Sequence, residues 1–184
     1  MTHERLDEAA AVVRGEAGGV GVVVHERPIG ATVEWYTPAT LFAQLGLTFD
    51  LDPAGADNDN VPARHKITDG RSGLDTPWTG RVWLNPPYGS QAVPFIERMI
   101  EHQDGLLLVA GRTETRWFQK AAVSADVVCF LRDRLHFVRG DGFQARSSHA
   151  SVLMAWGDES CRAIWNADLG WTVGRARRPG HRGA

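Results

Sequence analysis

The chain of 184 residues has little of what would assign it to several common protein classes. Its two cysteines, Cys129 and Cys161, do not form a CxxC pair. We therefore expect no zinc site of the usual cysteine spacing, and two isolated thiols are typical of a cytoplasmic chain. The seven histidines are scattered without the spacing of metal ligands. These features predict a protein without a metal centre.

Long hydrophobic runs are also missing. No apolar stretch approaches the ~18 residues that a transmembrane helix needs, and the first residues lack the layout of a signal peptide. The composition, with 43% hydrophobic and 23% charged residues, is that of an ordinary globular protein, and the length suits one domain. We expect a cytoplasmic protein that does not associate with a membrane.

An excess of charge of one sign is absent as well, because the formal net charge is −2. This argues against indiscriminate binding to nucleic acids, since a DNA-binding face needs a local cluster of basic residues. The candidate clusters are Arg112 with Arg116, Arg132 with Arg134, and the C-terminal Arg175, Arg177, Arg178 and Arg182. For Arg112, Arg116 and Arg134, contact with phosphates and a solvated surface are alternative interpretations.

What the sequence does contain is an unusual turn, Asn85-Pro86-Pro87-Tyr88, directly after the mostly apolar run 81–84. We predict that this run is a buried strand. The two prolines fix φ and remove two N–H donors, and Asn85 is biased towards an extended backbone because it precedes a proline. Ligands of open α/β sheets bind at the carboxyl ends of the strands. The turn is therefore a candidate functional site.

The chemistry of the turn suits a planar substrate with an exocyclic NH2 group. Such a nitrogen is a poor nucleophile because its lone pair is delocalised. The Asn85 side-chain oxygen and the Pro86 carbonyl can each accept one amino hydrogen and draw the lone pair out of conjugation; fixed dipoles of this kind are usually the largest catalytic contribution. The Tyr88 ring can stack on a base, which is worth roughly 1–3 kcal/mol. A proline turn without chemistry is the alternative.

Residues 34–173 are predicted to form one domain, between a peripheral arm at 1–33 and a basic flexible tail at 174–184. Its first helix should have Thr37 as N-cap and Pro38 at the first position, and should end at Gly46. Its buried residues are predicted to be Leu41, Phe42 and Leu45. An alternating strand over 47–52 and a long loop over 55–80 should follow.

The second half of the domain is predicted to alternate helices and strands. Ser90 should cap a helix that Gly105 ends, with Val93, Phe95, Ile96, Met99 and Ile100 inward. Thr113 should cap the next helix, whose apolar face is Trp117, Phe118, Ala121 and Ala122. Strands are predicted over 106–110, 127–131, 135–138 and 151–156, and the continuous apolar run 106–110 indicates a central one. The segment 139–149 is a candidate DNA-contacting loop.

An ordered series of stretches surrounds the proline turn. The stretches are Glu34-Trp35-Tyr36-Thr37-Pro38, Phe49-Asp50-Leu51-Asp52-Pro53-Ala54, Trp78-Thr79-Gly80-Arg81-Val82-Trp83, Arg112-Thr113-Glu114-Thr115-Arg116-Trp117-Phe118 and Arg134-Leu135-His136-Phe137. With the turn, this series is similar to the phage-type DNA N6-adenine methyltransferase (Dam) family over about residues 34–157. The ordered set is far more specific than any one of its members.

The resemblance implies a Rossmann-like class I methyltransferase, an α/β fold with a central, mostly parallel sheet flanked by helices. It implies transfer of a methyl group from S-adenosylmethionine to N6 of an adenine that is flipped out of DNA, in a bacterial host cell of a phage or prophage. The residues it marks as catalytic are Asn85, Pro86, Pro87 and Tyr88. The cofactor-binding residues would be Trp35, Thr37, Pro38, Asp50, Asp52, Ala54 and Asn85, and the DNA-binding residues Arg112, Arg116 and Arg134.

One departure from larger methyltransferases stands out: no glycine-rich FxGxG loop is evident, and Pro53-Ala54-Gly55-Ala56 would have to take its place. A cofactor role is favoured for Asp52, with an ordinary surface acid as the alternative. Methylation of cytosine N4, methylation of a protein glutamine, and a catalytically silent DNA-binding protein are the other functions left open. Direct methyl transfer needs no covalent enzyme intermediate, which agrees with two cysteines that lack an activating setting.

Overall fold

The computed structural model describes residues 35–57, 59–69, 72–139 and 142–174. The predicted arm at 1–33 and, apart from residue 174, the predicted tail at 174–184 lie outside the described residues. The helices are α1 (Ala39–Leu45), α2 (Ser72–Asp75), α3 (Ala92–His102), α4 (Arg116–Ser124) and α5 (Asp158–Ala167). The strands are β1 (Trp35–Tyr36), β2 (Phe49–Asp52), β3 (Ala63–Lys66), β4 (Val82–Leu84), β5 (Gly105–Ala110), β6 (Val127–Leu131), β7 (His136–Arg139), β8 (Gln144–Arg146), β9 (Ser151–Trp156) and β10 (Gly170–Gly174).

Within the described ranges, seven strands form the main sheet in the order β3-β2-β4-β5-β9-β6-β10. Strands β3, β2, β4 and β5 are parallel to one another. Strand β9 is antiparallel to both β5 and β6, and β10 is antiparallel to β6. The predicted parallel arrangement is therefore found in one half of the sheet, and the sheet as a whole is mixed. The chain reaches β9 from β6 without the crossover helix that a parallel neighbour requires.

A second, smaller sheet consists of three antiparallel strands in the order β1-β7-β8. Strands β7 and β8 lie between β6 and β9 in the sequence, whereas β1 comes from the start of the domain. Trp35 of β1 pairs with Arg139 of β7. The two residues of β1 lead directly into the segment that opens the first helix, so this small sheet is connected to the body of the domain from two sides.

Two buried clusters lie on the opposite faces of the main sheet. On one face, Phe42 and Phe49 pack on Trp83 with ring centroids 4.7 and 5.5 Å away. On the other face, Ile96 and Met99 of α3 are fully buried. Helices α1 and α5 cover the first face, and α3 and α4 cover the second.

Strand β4 lies at the centre of this arrangement. Val82, Trp83 and Leu84 are each 0% exposed. Because successive side chains of a strand point to opposite faces, Trp83 joins the first cluster while Val82 and Leu84 join the second. The position of whatever follows Leu84 is therefore fixed from both faces of the sheet.

Most of the predicted elements are confirmed. Helix α1 buries Leu41, Phe42 and Leu45 and ends at Gly46 in the left-handed conformation. Strands β6 and β9 have the predicted bounds. Strand β2 begins two residues later than predicted, and β7 begins and ends one residue later. Strand β5 begins one residue earlier, at Gly105.

The predicted caps were wrong in three helices. The N-cap of α1 is Pro38 and not Thr37, whose hydroxyl accepts from the Asn85 side chain. The side chain of Thr115, and not that of Thr113, caps α4. Helix α3 begins only after a 3₁₀ turn that contains Ser90. Gly105 does not end α3 either, because it is already the first residue of β5.

The predicted loop over 55–80 contains β3 and the short helix α2, and the segment 139–149 contains β8. Strands β1 and β10 and helix α5 were not predicted. The missed strands are short or lack alternating burial, since β3 and β8 have no buried residue. Such segments have no periodic apolar pattern of their own and are ordered by a neighbouring strand. No helix in the described ranges is long and apolar enough to cross a membrane.

We predict that Gly105→Ala destabilises the fold by about 2 kcal/mol or more. Gly105 has φ +135, and a Cβ there would overlap the Val82 backbone, with the Val82 nitrogen at 2.7 Å. A strained backbone conformation alone costs on the order of 1–3 kcal/mol, and β4 would have to move as well. The measurement is the free energy of unfolding in urea.

The matched control is Gly46→Ala, where φ is +61 and nothing lies within 4 Å of the added Cβ. It carries the strain of a positive φ without the overlap, so it should cost less than Gly105→Ala by about 1 kcal/mol or more. Equal losses in the two variants would mean that β4 is not held by close approach to β5.

Candidate active site

The candidate site lies where the order of the strands reverses. Strand β2 has β3 on one side and β4 on the other, so the chain runs outward to β3 and then returns across β2 to β4. Such a switch point opens a crevice outside the carboxyl ends of the strands, which is where ligands of open α/β sheets bind. Asp52 is the last residue of β2, and Asn85 follows the last residue of β4. The two side chains therefore flank one crevice.

The turn after β4 brings the Asn85 side chain next to Thr37. The amide nitrogen Nδ2 of Asn85 donates to the hydroxyl of Thr37 at 3.5 Å. The oxygen Oδ1 accepts no hydrogen bond from the described residues. Pro86 is buried and Pro87 is half-buried, so the backbone of the turn is held by packing as well as by its rings. One carboxamide oxygen is thus left as an acceptor at the end of β4.

Thr37 is the anchor of this arrangement. It is 3% exposed, and its backbone carbonyl accepts a hydrogen bond from the Asn60 side chain at 3.3 Å. It directly follows β1 and precedes Pro38, the N-cap of α1. The predicted cofactor residue Thr37 is therefore brought next to the predicted catalytic residue Asn85, whereas Asn60 was missed because an asparagine in a polar segment carries no specific signal.

In contrast to Thr37, Tyr88 is exposed, with 59% of its surface accessible to solvent. It is the residue before the 3₁₀ turn that leads into α3. Phe143, Trp165 and Trp171 are other large aromatic side chains that are exposed, so exposure alone does not mark Tyr88 as a binding residue. The stacking role of Tyr88 stays a prediction.

Asp52 provides the second wall of the crevice. It is 2% exposed, its oxygen Oδ1 accepts from the backbone nitrogen of Ala54 at 3.1 Å, and Oδ2 accepts no hydrogen bond from the described residues. The turn wraps it closely, because a Cβ added to Gly55 would lie 3.2 Å from the carboxyl carbon. That tight turn, 53–56, occupies the position predicted to replace the glycine-rich loop.

Burial raises the pKa of Asp52 to about 7. Loss of hydration is the largest cause; the hydrogen bond from Ala54 opposes it, the negative charge of Asp59 adds to it, and Lys66 opposes it. Asp59 and Lys66 themselves form an ion pair beside the turn. Near neutral pH, Asp52 can therefore exist both as a neutral carboxyl that donates a hydrogen bond and as a carboxylate that accepts two.

Asp50 has a different environment from Asp52. Its oxygen Oδ2 accepts from the backbone nitrogen of Arg81 at 2.8 Å, and Oδ1 forms an ion pair with Arg64 at 3.2 Å. The first contact holds the segment that enters β4 against β2, and the second links β2 to β3. The carboxylate of Asp50 is thus engaged with the protein, while that of Asp52 faces the switch point.

The remaining predicted cofactor residues lie close to Thr37 or Asp52 in the sequence. Trp35 is half-buried in β1, where its ring meets the edge of Phe143 with centroids 6.2 Å apart. Pro38 is half-buried at the start of α1, and Ala54 forms part of the turn after β2. Of these, only Ala54 makes a direct contact with Asp52 within the described ranges.

The predicted DNA-binding arginines follow strands that end at the same edge of the sheet. Arg112 and Arg116 come after β5, which is parallel to β4. Arg116 and Arg134 are exposed and Arg112 is half-buried. Arg134 follows β6 and donates to the carbonyls of Ser147 and Ser148, at 3.5 and 3.1 Å. The edge that carries the crevice therefore also carries these positive charges.

The described part of the chain gives little support for a metal centre or a cysteine nucleophile. It contains no group of three or more His, Cys, Asp or Glu residues that could hold a metal ion. Burial raises the pKa of the Cys129 thiol. A thiol with a raised pKa is a poor nucleophile, because the thiolate is the reactive form.

Comparison with known proteins gives a consistent result. Residues 29–164 match the family model described as DNA N-6-adenine-methyltransferase (Dam). The chain is also 28% identical over 118 residues to the DNA N-6-adenine-methyltransferase of Haemophilus phage HP1 (strain HP1c1), an alignment that covers 58% of this chain and 67% of the phage protein. No solved structure matches the chain significantly.

The raised pKa of Asp52 predicts a specific dependence of stability on pH. Between the unfolded value of 3.8 and the folded value of about 7, the native state binds more protons than the unfolded state. The free energy of unfolding should therefore fall as the pH rises through this window, by at most about 4 kcal/mol. Asp52→Asn should remove that loss.

The measurement is denaturant unfolding of both proteins from pH 4 to pH 8. The control is Asp133→Asn, which removes an exposed carboxyl near the end of β6 and reports the effect of losing one charge. If the difference between wild type and Asp52→Asn stays constant over the whole range, the carboxyl is not desolvated in the folded state.

Proposed function

Because the chain belongs to the phage-type DNA N-6-adenine-methyltransferase (Dam) family, we propose that it transfers a methyl group from S-adenosylmethionine to the N6 amino group of adenine in DNA. We also assign the domain to the Rossmann-like class I methyltransferases. The parallel strands β3-β2-β4-β5 and their switch point support this assignment. DNA is then the partner, and the reaction takes place in the cytoplasm of a bacterial host cell.

The observation that carries the proposal is the orientation of the Asn85 carboxamide. One N–H of its NH2 group is directed to Thr37, and the oxygen accepts no hydrogen bond from the described residues. The next carbonyl, that of Pro86, belongs to a residue that is itself buried. Two acceptors on a stiff turn match the two hydrogens of one amino group.

The residues of the crevice also fit the methyl donor. S-Adenosylmethionine, when bound, supplies an electrophilic methyl group on a sulfonium centre. Asp52 has one carboxyl oxygen that the described residues do not use, and a group that can donate or accept near neutral pH suits hydroxyl and ammonium partners alike. Ala54 lies beside it, and we include Trp35, Thr37 and Pro38 in the walls of the donor site. Asp50 would support these walls from behind, because its carboxylate is engaged by Arg81 and Arg64.

We propose that Asn85 and Pro86 act on the amino group of the target base. An adenine cannot react inside a duplex, so it must first be flipped into the crevice. The two acceptors then hold both hydrogens of N6 and favour a pyramidal nitrogen, whose lone pair is directed at the methyl carbon. Such preorganised dipoles act most strongly where charge develops in the transition state.

The other two residues of the turn have supporting roles. Pro87 stiffens the backbone, and the exposed ring of Tyr88 stacks on the face of the flipped base. The positive charges of Arg112, Arg116 and Arg134 bind phosphates around the crevice, and such contacts position DNA without reading its sequence. No side chain would form a covalent bond with the substrate. The new bond from N6 to the methyl carbon would form as the sulfur–methyl bond of the donor breaks, its electron pair would stay on sulfur, and the proton that N6 loses would leave to solvent.

We predict that Asn85→Ala lowers the single-turnover rate of methyl transfer by about 10²–10³, the typical cost of removing one preorganised catalytic partner. The affinity for S-adenosylmethionine should change little, because Asp52 and its turn remain. Asn85→Asp should keep measurable activity, because it retains an acceptor oxygen and the Thr37 hydroxyl can donate to it. The assay uses radiolabelled donor on mixed-sequence DNA.

The control for this test is Asn166→Ala, which truncates an exposed asparagine on α5 and should leave the rate unchanged. Rates near wild type in Asn85→Ala, with donor binding intact, would exclude the turn from the chemical step. An equal loss in Asn85→Ala and Asn85→Asp would mean that an acceptor oxygen is not what this position provides.

Stacking by Tyr88 predicts a different pattern. Tyr88→Phe should keep most of kcat/KM for DNA, since stacking needs the ring and not the hydroxyl. Tyr88→Ala should lose about 5- to 150-fold, which corresponds to roughly 1–3 kcal/mol of base stacking. If the phenylalanine variant is as impaired as the alanine variant, the hydroxyl carries the function and the ring does not.

A further inference from the structure

The strands of the small sheet β1-β7-β8 carry basic residues and no acidic ones. Strand β7 carries His136 and Arg139, and β8 carries Arg146. The whole chain has a formal net charge of −2. A basic surface on an acidic protein is a local feature, and the partner that it fits is a polyanion.

The two faces of the β7–β8 ribbon differ in character. His136 lies opposite Arg146, and Val138 lies opposite Gln144, so these four side chains share one face. Phe137, between them, points the other way and is buried in the core of the domain. The inner face therefore fixes the ribbon to the domain, and the outer face is left for a ligand.

Two side chains on the outer face combine exposure with hydrogen-bonding capacity. Gln144 and Arg146 are exposed, and their side chains make no hydrogen bond or ion pair with the described residues. They lie on β8, an edge strand of the small sheet. Both can form two parallel hydrogen bonds with a planar partner.

The ribbon is fixed at the edge of the main sheet that carries the crevice. It leaves the carboxyl end of β6 and returns into β9, whose first residues lie beside the end of β5: the nitrogen of Gly111 donates to the carbonyl of Ala150 at 2.8 Å. Its base is closed by the bond from the nitrogen of Ser147 to the carbonyl of Leu135, also at 2.8 Å. Strand β1 joins the ribbon and continues into Thr37, the partner of Asn85.

We propose that the β7–β8 ribbon reads the DNA sequence beside the target base, with Gln144 and Arg146 as specificity-determining residues. A two-stranded ribbon fits the major groove, where glutamine pairs with adenine and arginine with guanine through two hydrogen bonds. The proposal rests on the proposed function, because it takes DNA as the substrate. It adds which element chooses the site of methylation.

This role differs from that of the arginines around the crevice. Contacts with phosphates raise affinity for every sequence, whereas contacts with base edges change the relative affinity of sequences. Only the arginine is attracted by the charge of the DNA backbone, because the glutamine is neutral. A glutamine beside an arginine on a rigid strand is therefore suited to base edges.

The test maps methylated positions in a pool of duplexes with randomised sequence, and in parallel selects duplexes that the same proteins bind. Wild type should give a consensus around the methylated adenine. Arg146→Ala and Gln144→Ala should each relax one or two consensus positions, with discrimination falling about 5- to 150-fold, the range for one bidentate contact. Gln144→Arg should replace adenine by guanine at the position that Gln144→Ala relaxes.

Two controls separate reading from other effects. Arg162→Ala removes an exposed arginine on α5 and should leave the consensus intact. Arg112→Ala should lower methylation at all sequences alike. An unchanged consensus in both ribbon variants, or a uniform loss with a shallower dependence on salt, would overturn the proposal and leave the methyltransferase function standing.

The selection of bound duplexes distinguishes failure of the two proposals. A wild-type protein that enriches a sequence without methylating it, and loses that preference in Arg146→Ala, would refute the proposed reaction and support the ribbon. A wild-type protein that methylates without any consensus would refute the ribbon and support the reaction. Binding of neither duplex nor single-stranded DNA would overturn both.

Discussion

The site depends on the burial of one short strand. Val82, Trp83 and Leu84 have no exposed surface, because β4 has a parallel neighbour on each side and a buried cluster on each face. A strand held in this way cannot shift its register without moving its side chains to the wrong face. Because β4 is fixed, the stiff turn that follows it is fixed as well. The core of the domain therefore holds Asn85 and Asp52 at the same crevice.

A large part of this arrangement follows from the sequence. The continuous apolar runs of β5 and β9 and the alternation in β2 predict buried strands, and the proline turn after β4 predicts a stiff end to that strand. The parallel order of β2, β4 and β5 then brings their polar carboxyl-end residues together, as expected for Asp52, Asn85 and Arg112. These features are local or periodic, and packing in the structure agrees with them.

Other features depend on contacts that no local pattern contains. Thr37 has the sequence context of an N-cap, but its hydroxyl meets Asn85, 48 residues away. Strands β1, β3, β8 and β10 are ordered by neighbours that are distant in the chain or by hairpin partners. The pKa of Asp52 follows from burial beneath its own turn, and the difference between Asp50 and Asp52 follows from Arg81 and Arg64. The alternating pattern of β2 places these two acids on one face, and it does not show that their environments differ.

The most direct test of the proposed reaction identifies the product. DNA incubated with the protein and S-adenosylmethionine carrying a deuterated methyl group is digested to nucleosides and measured by mass spectrometry, with Asn85→Ala in parallel. The label should be found in N6-methyldeoxyadenosine and be strongly reduced with Asn85→Ala. Label in N4-methyldeoxycytidine would identify cytosine as the target. Label on a protein glutamine, or in no nucleoside at all, would contradict a DNA adenine methyltransferase built on this turn.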